Sequence, residues 1–135
     1  MQEMIFPAVT ESIPKVTAWI DELLEKLECP MRAQMQIDVA IDEIFGNIAH
    51  YAYPDQSGSA AVQADFEEGP RLFSLTFVDH GIPFDPLRQS DPDTTLDAQE
   101  RAVGGLGIFL VKKTMDDVSY QYRDGSNILC LKKKI

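Results

Sequence analysis

The spacing of apolar residues predicts two long helices near the start of the chain. The first helix follows the helix-start residues Thr10 to Ser12, and its apolar stripe is Val16, Ile20, Leu23, Leu24 and Leu27. It is expected to end at Glu28-Cys29-Pro30, because the residue before a proline disfavours helical dihedrals. The second helix is predicted from about Met31 to Tyr53, with the core stripe Ile37, Ile41, Ile44 and Ile48.

Alternating apolar residues predict strands on both sides of these helices. A short strand is expected over residues 3–9. Two further strands are expected to pair through a hairpin loop at residues 67–70, and their inward positions are Ala60, Val62, Ala64 and Phe66, then Phe73, Leu75, Phe77 and Asp79. Residues 80–103 show no period and are predicted to form a long loop.

The end of the chain is predicted to contain one helix and a second hairpin. The helix covers residues 105–114, and Asp124-Gly125 joins a strand around Val118–Tyr122 to one over Ile128–Lys134. This order of elements predicts an α+β fold: a two-layer sandwich with a mainly antiparallel mixed sheet and helices packed on one face. At 135 residues, residues 1–135 are expected to form a single domain.

Composition narrows the classes of function. The formal net charge of −10 argues against nucleic acid as a partner, because binding to nucleic acid requires clustered Lys and Arg. No signal peptide is expected, because Met1 to Phe6 has no basic region before an apolar stretch, and no membrane span is expected, because no apolar run approaches about 20 residues. Cys29 and Cys130 lack zinc-ligand spacing, and a cytoplasmic protein with reduced thiols is predicted.

Glu43, Asn47 and His50 lie on one face of the second helix, beside its apolar stripe. A helix that presents an amide oxygen one turn from a carboxylate can bring a hard cation and a general base together. Mg²⁺ is such a cation and prefers oxygen ligands. The alternative is an ordinary solvated helix face.

Asp79 and Gly81 follow a strand of large apolar residues. A carboxylate at this position can accept a hydrogen bond from the exocyclic amine of adenine, and a glycine lets the backbone approach the ring. The alternative is a strand-ending Asp in a common turn.

Gly104, Gly105, Leu106 and Gly107 begin the third predicted helix. Backbone N–H groups at a helix start, together with the helix dipole, favour phosphate. The segment is neither a P-loop nor a dinucleotide fingerprint. A flexible loop-to-helix junction is the alternative.

Taken in this order, the three motifs resemble those of the GHKL ATPase superfamily, and within it the anti-sigma-factor serine kinases. The resemblance covers about residues 31–135. It rests on the stretch from Glu43 to Tyr53, on the Asp-x-Gly-x-x-Phe-Asp pattern, on the Gly-Gly-x-Gly pattern and on Met115 to Val118. Ser126 and Asn127 stand where threonines are usual in the family.

The resemblance implies a role for each position. ATP and magnesium would be bound, with Asn47 as the magnesium ligand and Glu43 as the residue that orients or deprotonates the attacking hydroxyl. Asp79 would contact adenine, Gly81 would line the base pocket, and Asn127 would hydrogen-bond toward the base. Residues 82–103 would form the ATP lid. The glycine segment, Gly104 to Gly107, would seat the phosphates.

The function implied is that of an anti-sigma-factor serine kinase. Such a protein phosphorylates a serine of an antagonist protein and sequesters a sigma factor, and related kinases suggest a homodimer. A nucleotide-sensing module without transferase activity is the second hypothesis, and Glu43 separates the two because a binding module does not need it. A structural domain with accidental motifs is the third. The sequence identifies neither the sigma factor nor the substrate serine.

Overall fold

The computed structural model describes residues 1–88 and 105–135, which form three α-helices and five β-strands. The helices are α1 (Ile13–Lys26), α2 (Met31–Tyr51) and α3 (Gly105–Thr114). The strands are β1 (Gln2–Pro7), β2 (Ser59–Glu67), β3 (Leu72–Asp79), β4 (Asp117–Arg123) and β5 (Ser126–Lys134). Each predicted helix and strand is present, with bounds close to the predicted ones. Two short 3-10 turns, Thr10–Ser12 and Pro86–Arg88, were not predicted.

The strands form one sheet in the order β1-β2-β3-β5-β4. All four pairings are antiparallel, so no parallel pair occurs among the strands that the structure describes. The predicted α+β class is confirmed. Strand β3 is central, and its last residue, Asp79, lies opposite Ala60 of β2 and Asn127 of β5. The register therefore brings the end of the central strand beside the start of β5.

The core lies between the helices and one face of the sheet. Residues of β3 alternate between buried and half-buried positions, and Leu75 and Phe77 face inward. On the helical side, Ile41 and Phe45 of α2 are fully buried, as is Ile20 of α1. The apolar stripe of α2, with steps of three and four residues, thus packs against the alternate inward residues of β3 in one apolar layer. Burial in this layer fixes which face of α2 remains at the edge of the core.

The β4–β5 hairpin has the turn that its sequence predicts. Asp124 has φ of 52° and Gly125 has φ of 78°. Two consecutive residues with positive φ match the right-handed twist of paired strands, and Asp-Gly tolerates this conformation. The turn sets the register that places Tyr120 opposite Leu129 and Tyr122 opposite Asn127.

No helix within residues 1–88 and 105–135 combines the length and apolar character that crossing a membrane requires.

Candidate functional site

A cavity opens between the C-terminal half of α2 and the ends of β3 and β5. Most of its lining is apolar, including Ile44, Phe77 and Leu129. Its lining residues with polar groups are Asn47, Asp79, Asn127, Tyr51 and Tyr120. The volume of the cavity is about 30 Å³, which is room for about two waters. Including the open mouth, the empty space is about 400 Å³. A purine therefore cannot be fully enclosed unless lining side chains move.

Asp79 is the buried carboxylate at one end of this cavity. It is only 4% exposed, because it ends the central strand on the inward face. Its Oδ1 accepts hydrogen bonds from the Gly81 N–H at 2.9 Å and from Asn127 Nδ2 at 2.9 Å. Within the described ranges no hydrogen bond reaches Oδ2. One oxygen is thus held by the protein while the other remains available to a ligand.

Asn127 lies beside Asp79 and is 6% exposed. Its Nδ2 donates to Asp79 Oδ1 and to the Ile82 carbonyl, both at 2.9 Å. Its Oδ1 accepts from the Phe84 N–H at 3.1 Å and from the Tyr120 hydroxyl. The amide therefore joins β5 to Asp79, to the loop after β3 and to β4.

The loop after β3 packs directly on the end of α2. The Ile82 N–H donates to the Ala52 carbonyl at 2.9 Å. A Cβ at Gly81 would collide with the same carbonyl group, so only glycine fits there. Phe84 stacks on Tyr51 with ring centroids 5.4 Å apart. The wall of the cavity is formed in part by this loop.

Glu43 is half-buried on α2, at the other end of the site. Burial, followed by the negative charge of Asp42, raises the pKa of its carboxyl group above the ordinary value. No hydrogen bond to its carboxylate is present in the part of the chain that is described. A carboxyl group with a raised pKa is better suited to accept a proton near neutral pH than an ordinary glutamate.

The start of α3 lies against this carboxylate. A Cβ at Gly107 would come within 2.8 Å of Glu43 Oε1 and still closer to the rest of the group. Gly105 is the first residue of α3, and Leu106 is 42% exposed. Gly104 and residues 89–103 of the predicted lid lie outside the described residues. The first-turn N–H groups of α3 have no partner within the helix, so an anion can bind them.

Asn47 lies one turn after Glu43 and lines the cavity. It is half-buried, and its amide makes no hydrogen bond to any described residue. Residues 1–88 and 105–135 contain no cluster of three His, Cys, Asp or Glu side chains that could hold a metal. His50 turns back onto its own helix, where Nδ1 lies 2.7 Å from the Gly46 carbonyl. On this helix face, Asn47 can therefore offer its amide oxygen to a cation, whereas the His50 ring is engaged on its own helix.

The structure thus brings the three motifs to one side of the sheet. Sequence reasoning did not assign a role to Tyr120, Tyr51 or Phe84. Tyr120 and Tyr51 carry little signal, because an alternating Tyr in an edge strand and an aromatic residue at a helix end are common features. The Phe84 position was noted only as part of the Asp-x-Gly-x-x-Phe-Asp pattern. Their contacts depend on the pairing of β4 with β5, which brings Tyr120 to Asn127.

Sequence comparisons identify the family and several relatives of this chain. Residues 6–133 match the family described as histidine kinase-like ATPase domain. The chain is 27% identical over 113 residues to the serine/threonine-protein kinase BtrW of Bordetella bronchiseptica, covering 84% of this chain and 79% of that protein. It is 25% identical over 134 residues to the serine-protein kinase RsbW of Bacillus thuringiensis, covering 96% of this chain and 82% of that protein.

A solved structure shows the same fold. The histidine kinase domain of the blue-light activated histidine kinase from Erythrobacter litoralis EL346 superposes with a TM-score of 0.55 at 14% identity. The match covers 96% of this chain and 61% of that domain's chain. The resemblance to the GHKL superfamily is confirmed, and this chain belongs to the histidine kinase-like ATPase domain family.

Proposed function

We propose that this protein binds ATP and transfers its terminal phosphoryl group to a serine of a protein partner. The observation that carries the proposal is the contact between Glu43, whose pKa is raised, and Gly107 in the first turn of α3. A proton acceptor placed against a phosphate-binding helix start is what phosphoryl transfer to a hydroxyl requires. A nucleotide-binding module would not need it.

The base would bind at the Asp79 end of the cavity. Asp79 Oδ2, which receives no hydrogen bond within residues 1–88 and 105–135, can accept one from the 6-amino group of adenine, while Ile44 and Leu129 would contribute apolar contacts to the ring. The cavity is narrow, so entry of the base requires displacement of lining groups such as the stacked Tyr51 and Phe84.

The triphosphate would extend from this pocket toward α3. Gly105 and Gly107 in the first turn, preceded by Gly104 in the sequence, allow phosphate oxygens to approach the backbone N–H groups. Asn47 fits a magnesium site because it lines the cavity and its amide has no hydrogen-bond partner among the described residues. When bound, magnesium would neutralise charge on the phosphate oxygens.

Glu43 would act as the general base of the transfer step. The serine hydroxyl oxygen forms a bond to the terminal phosphorus, and the bond from that phosphorus to the bridging oxygen breaks, so ADP leaves. The hydroxyl proton passes to the Glu43 carboxylate. The protein contributes mainly position and charge, since phosphoryl transfer requires little covalent chemistry from it.

The partners follow from the resemblance to anti-sigma-factor kinases. The relatives BtrW and RsbW are named as serine or serine/threonine kinases. We propose that the substrate serine belongs to an anti-sigma antagonist protein, that a sigma factor is sequestered, and that the protein works as a homodimer in the cytoplasm. Residues 1–135 would act as a single ATP-binding domain.

The test combines binding and transfer. Calorimetry should show ATP binding that strengthens with magnesium in the wild type, and Asn47→Ala should lose the magnesium-dependent part. Transfer is measured with γ-labelled ATP and a purified anti-sigma antagonist protein as the phosphoryl acceptor. If ATP binds but the acceptor protein is not labelled and ATP is not hydrolysed, the result would support the nucleotide-sensing module instead. Equal affinity of Asn47→Ala and wild type in magnesium would remove the metal assignment.

A further inference from the structure

We propose that Asn127 is a positioning residue for base recognition: with Tyr120 it orients the Asp79 carboxylate so that Oδ2 alone faces the base, and it thereby sets the preference for a 6-aminopurine over a 6-oxopurine. This inference rests on the proposed binding of a purine nucleotide. Asn127 acts on the base through Asp79 and not by touching it.

The orientation of the Asn127 amide is fixed by its four neighbours. Two of them, the Phe84 N–H and the Tyr120 hydroxyl, are donors at Oδ1. The other two, Asp79 Oδ1 and the Ile82 carbonyl, are acceptors at Nδ2. Rotating the amide by half a turn would place acceptors against acceptors and donors against donors, so only one orientation is allowed.

Tyr120 must keep its proton for this arrangement. Burial, only partly offset by the Phe84 backbone N–H, raises the pKa of the Tyr120 hydroxyl above its ordinary value. The hydroxyl therefore remains a donor to Asn127 Oδ1 throughout the neutral range.

These bonds fill the hydrogen-bonding capacity of the Asn127 side chain. An amide group has two N–H donors and two lone pairs on oxygen, and all four are used within the protein. Asn127 lines the cavity but has no group left to offer a ligand. Its effect on a base is therefore transmitted by what it holds, namely Asp79 and the loop at Ile82 and Phe84.

The orientation of Asp79 decides which base is accepted. Oδ1 receives two protein donors, from Gly81 and Asn127, which fixes the plane of the carboxylate. Asp79 lines the cavity, and Oδ2, which no described residue hydrogen-bonds, is then left as a pure acceptor for a ligand. The 6-amino group of adenine donates to such an oxygen, whereas the 6-oxo group of guanine would oppose it with a second acceptor.

Asn127→Asp tests the proposal because the two side chains have the same shape. The change removes both donors and places a second carboxylate about where Nδ2 lies, 2.9 Å from Asp79 Oδ1. Two carboxylates at this distance cannot both ionise without a large cost. At pH 8 we expect ATP affinity to fall roughly ten- to a hundredfold and the ATP-to-GTP preference to narrow. At pH 5.5 a shared proton restores a donor, so much of the affinity should return.

Two further variants separate positioning from general damage. Tyr120→Phe removes one of the two donors to Asn127 Oδ1 and should give a smaller loss with the same narrowing of preference. Cys130→Ser lies on β5 too and has no side-chain contact with the cavity, so it should bind as the wild type does.

Amide hydrogen exchange at Phe84 reads the arrangement without any nucleotide. The Phe84 N–H donates to Asn127 Oδ1, and the Tyr120 hydroxyl helps to hold that oxygen in place. Tyr120→Phe should therefore loosen the Asn127 amide and speed exchange at Phe84, whereas Cys130→Ser should not. Should Asn127→Asp fail to fold, the preference and exchange measured in Tyr120→Phe decide the matter.

The outcomes separate the two proposals. Wild-type protein that binds no ATP refutes the proposed function, while Phe84 exchange still reports on the hydrogen-bonded amide. Wild-type protein that binds ATP while Asn127→Asp keeps both its affinity and its preference at pH 8 overturns the role of Asn127. Unchanged preference and unchanged Phe84 exchange in Tyr120→Phe overturn it as well.

Discussion

The two ends of the candidate site place their carboxylates in different surroundings. At the proposed base-binding end, Asp79 is 4% exposed and Oδ1 receives two hydrogen bonds from the protein. At the proposed transfer end, Glu43 and Asn47 are half-buried and receive none from the described residues. The protein alone therefore orients the Asp79 carboxylate, whereas no described residue holds the polar groups of Glu43 and Asn47.

The difference has a physical cost and a purpose. Burying a charged group without donors is unfavourable, and at Glu43 this appears as a raised pKa. Donors at Asp79 remove that cost and fix the direction of the carboxylate. A group that selects a ligand needs a fixed direction, and a group that takes up a proton needs an affinity for protons. The two ends match these two needs.

Replacing Glu43 should produce the largest effect. Glu43→Gln keeps the shape but cannot accept a proton, so transfer should slow by about two to four powers of ten while ATP affinity stays near that of the wild type. Single-turnover transfer and calorimetry measure the two quantities.

The pH dependence sharpens this prediction. Because the pKa of Glu43 is raised, the wild-type transfer rate should fall as pH drops through that value, and Glu43→Gln should show no such fall. A wild-type rate in Glu43→Gln would mean that this carboxylate is structural and that the two ends do not differ as described.

Replacing Asp79 should have a smaller effect, and it should act on binding. Asp79→Asn removes the charge while keeping the volume, so ATP should bind roughly ten- to a hundredfold more weakly, and adenine should lose its advantage. Calorimetry with ATP and GTP measures both. Equal binding of ATP and GTP by the wild type would count against the adenine contact.

A pair of carboxyl groups outside the cavity tests whether burial without donors raises a pKa, through an effect on folding stability and not on ligand binding. Asp21 Oδ1 in α1 and Asp38 Oδ1 in α2 are buried, and no donor from another described residue reaches them, so the two carboxyl groups can hydrogen-bond each other only when one of them carries a proton. Burial, with a hydrogen bond and the negative charge of Asp21, raises the pKa of Asp38 from 3.8 to about 7. Between these values the folded protein holds a proton that the unfolded chain releases, so stability decreases as pH rises from about 4 to about 7.

Asp38→Asn should abolish this dependence. The amide supplies a permanent donor, so the variant should unfold at a higher temperature than the wild type above pH 7, and the advantage should shrink toward pH 4. Thermal unfolding across this range measures it, with the exposed Glu25→Gln of α1 as the matched control. A constant difference between Asp38→Asn and wild type at every pH would show that Asp38 does not titrate as stated.

The sequence predicted the elements well because their signals are local. The stripe from Ile37 to Ile48 and the alternation from Phe73 to Asp79 depend only on the period of the backbone. Asp124-Gly125 determines its own turn. The pairing of β1 with β2 and of β3 with β5 joins distant segments, and periodicity holds no information about it.

The site was predictable in part for the same reason. Glu43, Asn47, Asp79 and Gly107 stand in motifs that can be read along the chain, and the fold brings them to one side of the sheet. The four hydrogen bonds of Asn127 could not be read in this way, because its partners come from β3, the following loop and β4. Likewise, the sequence could not show that the Asn47 amide makes no hydrogen bond within residues 1–88 and 105–135, because this depends on packing.

Gly107 lies so close to the Glu43 carboxylate that the absence of a Cβ at this position is a condition for the observed placement of Glu43. Any larger residue at this position would have to push the acid away, whatever else the chain retained. Among chains of this family, therefore, loss of the glycine at this point would identify members that have kept the architecture and given up this placement of the acid. The residue at the position of Gly107 would then be a simple marker for separating paralogues that keep this placement of the acid from those that do not.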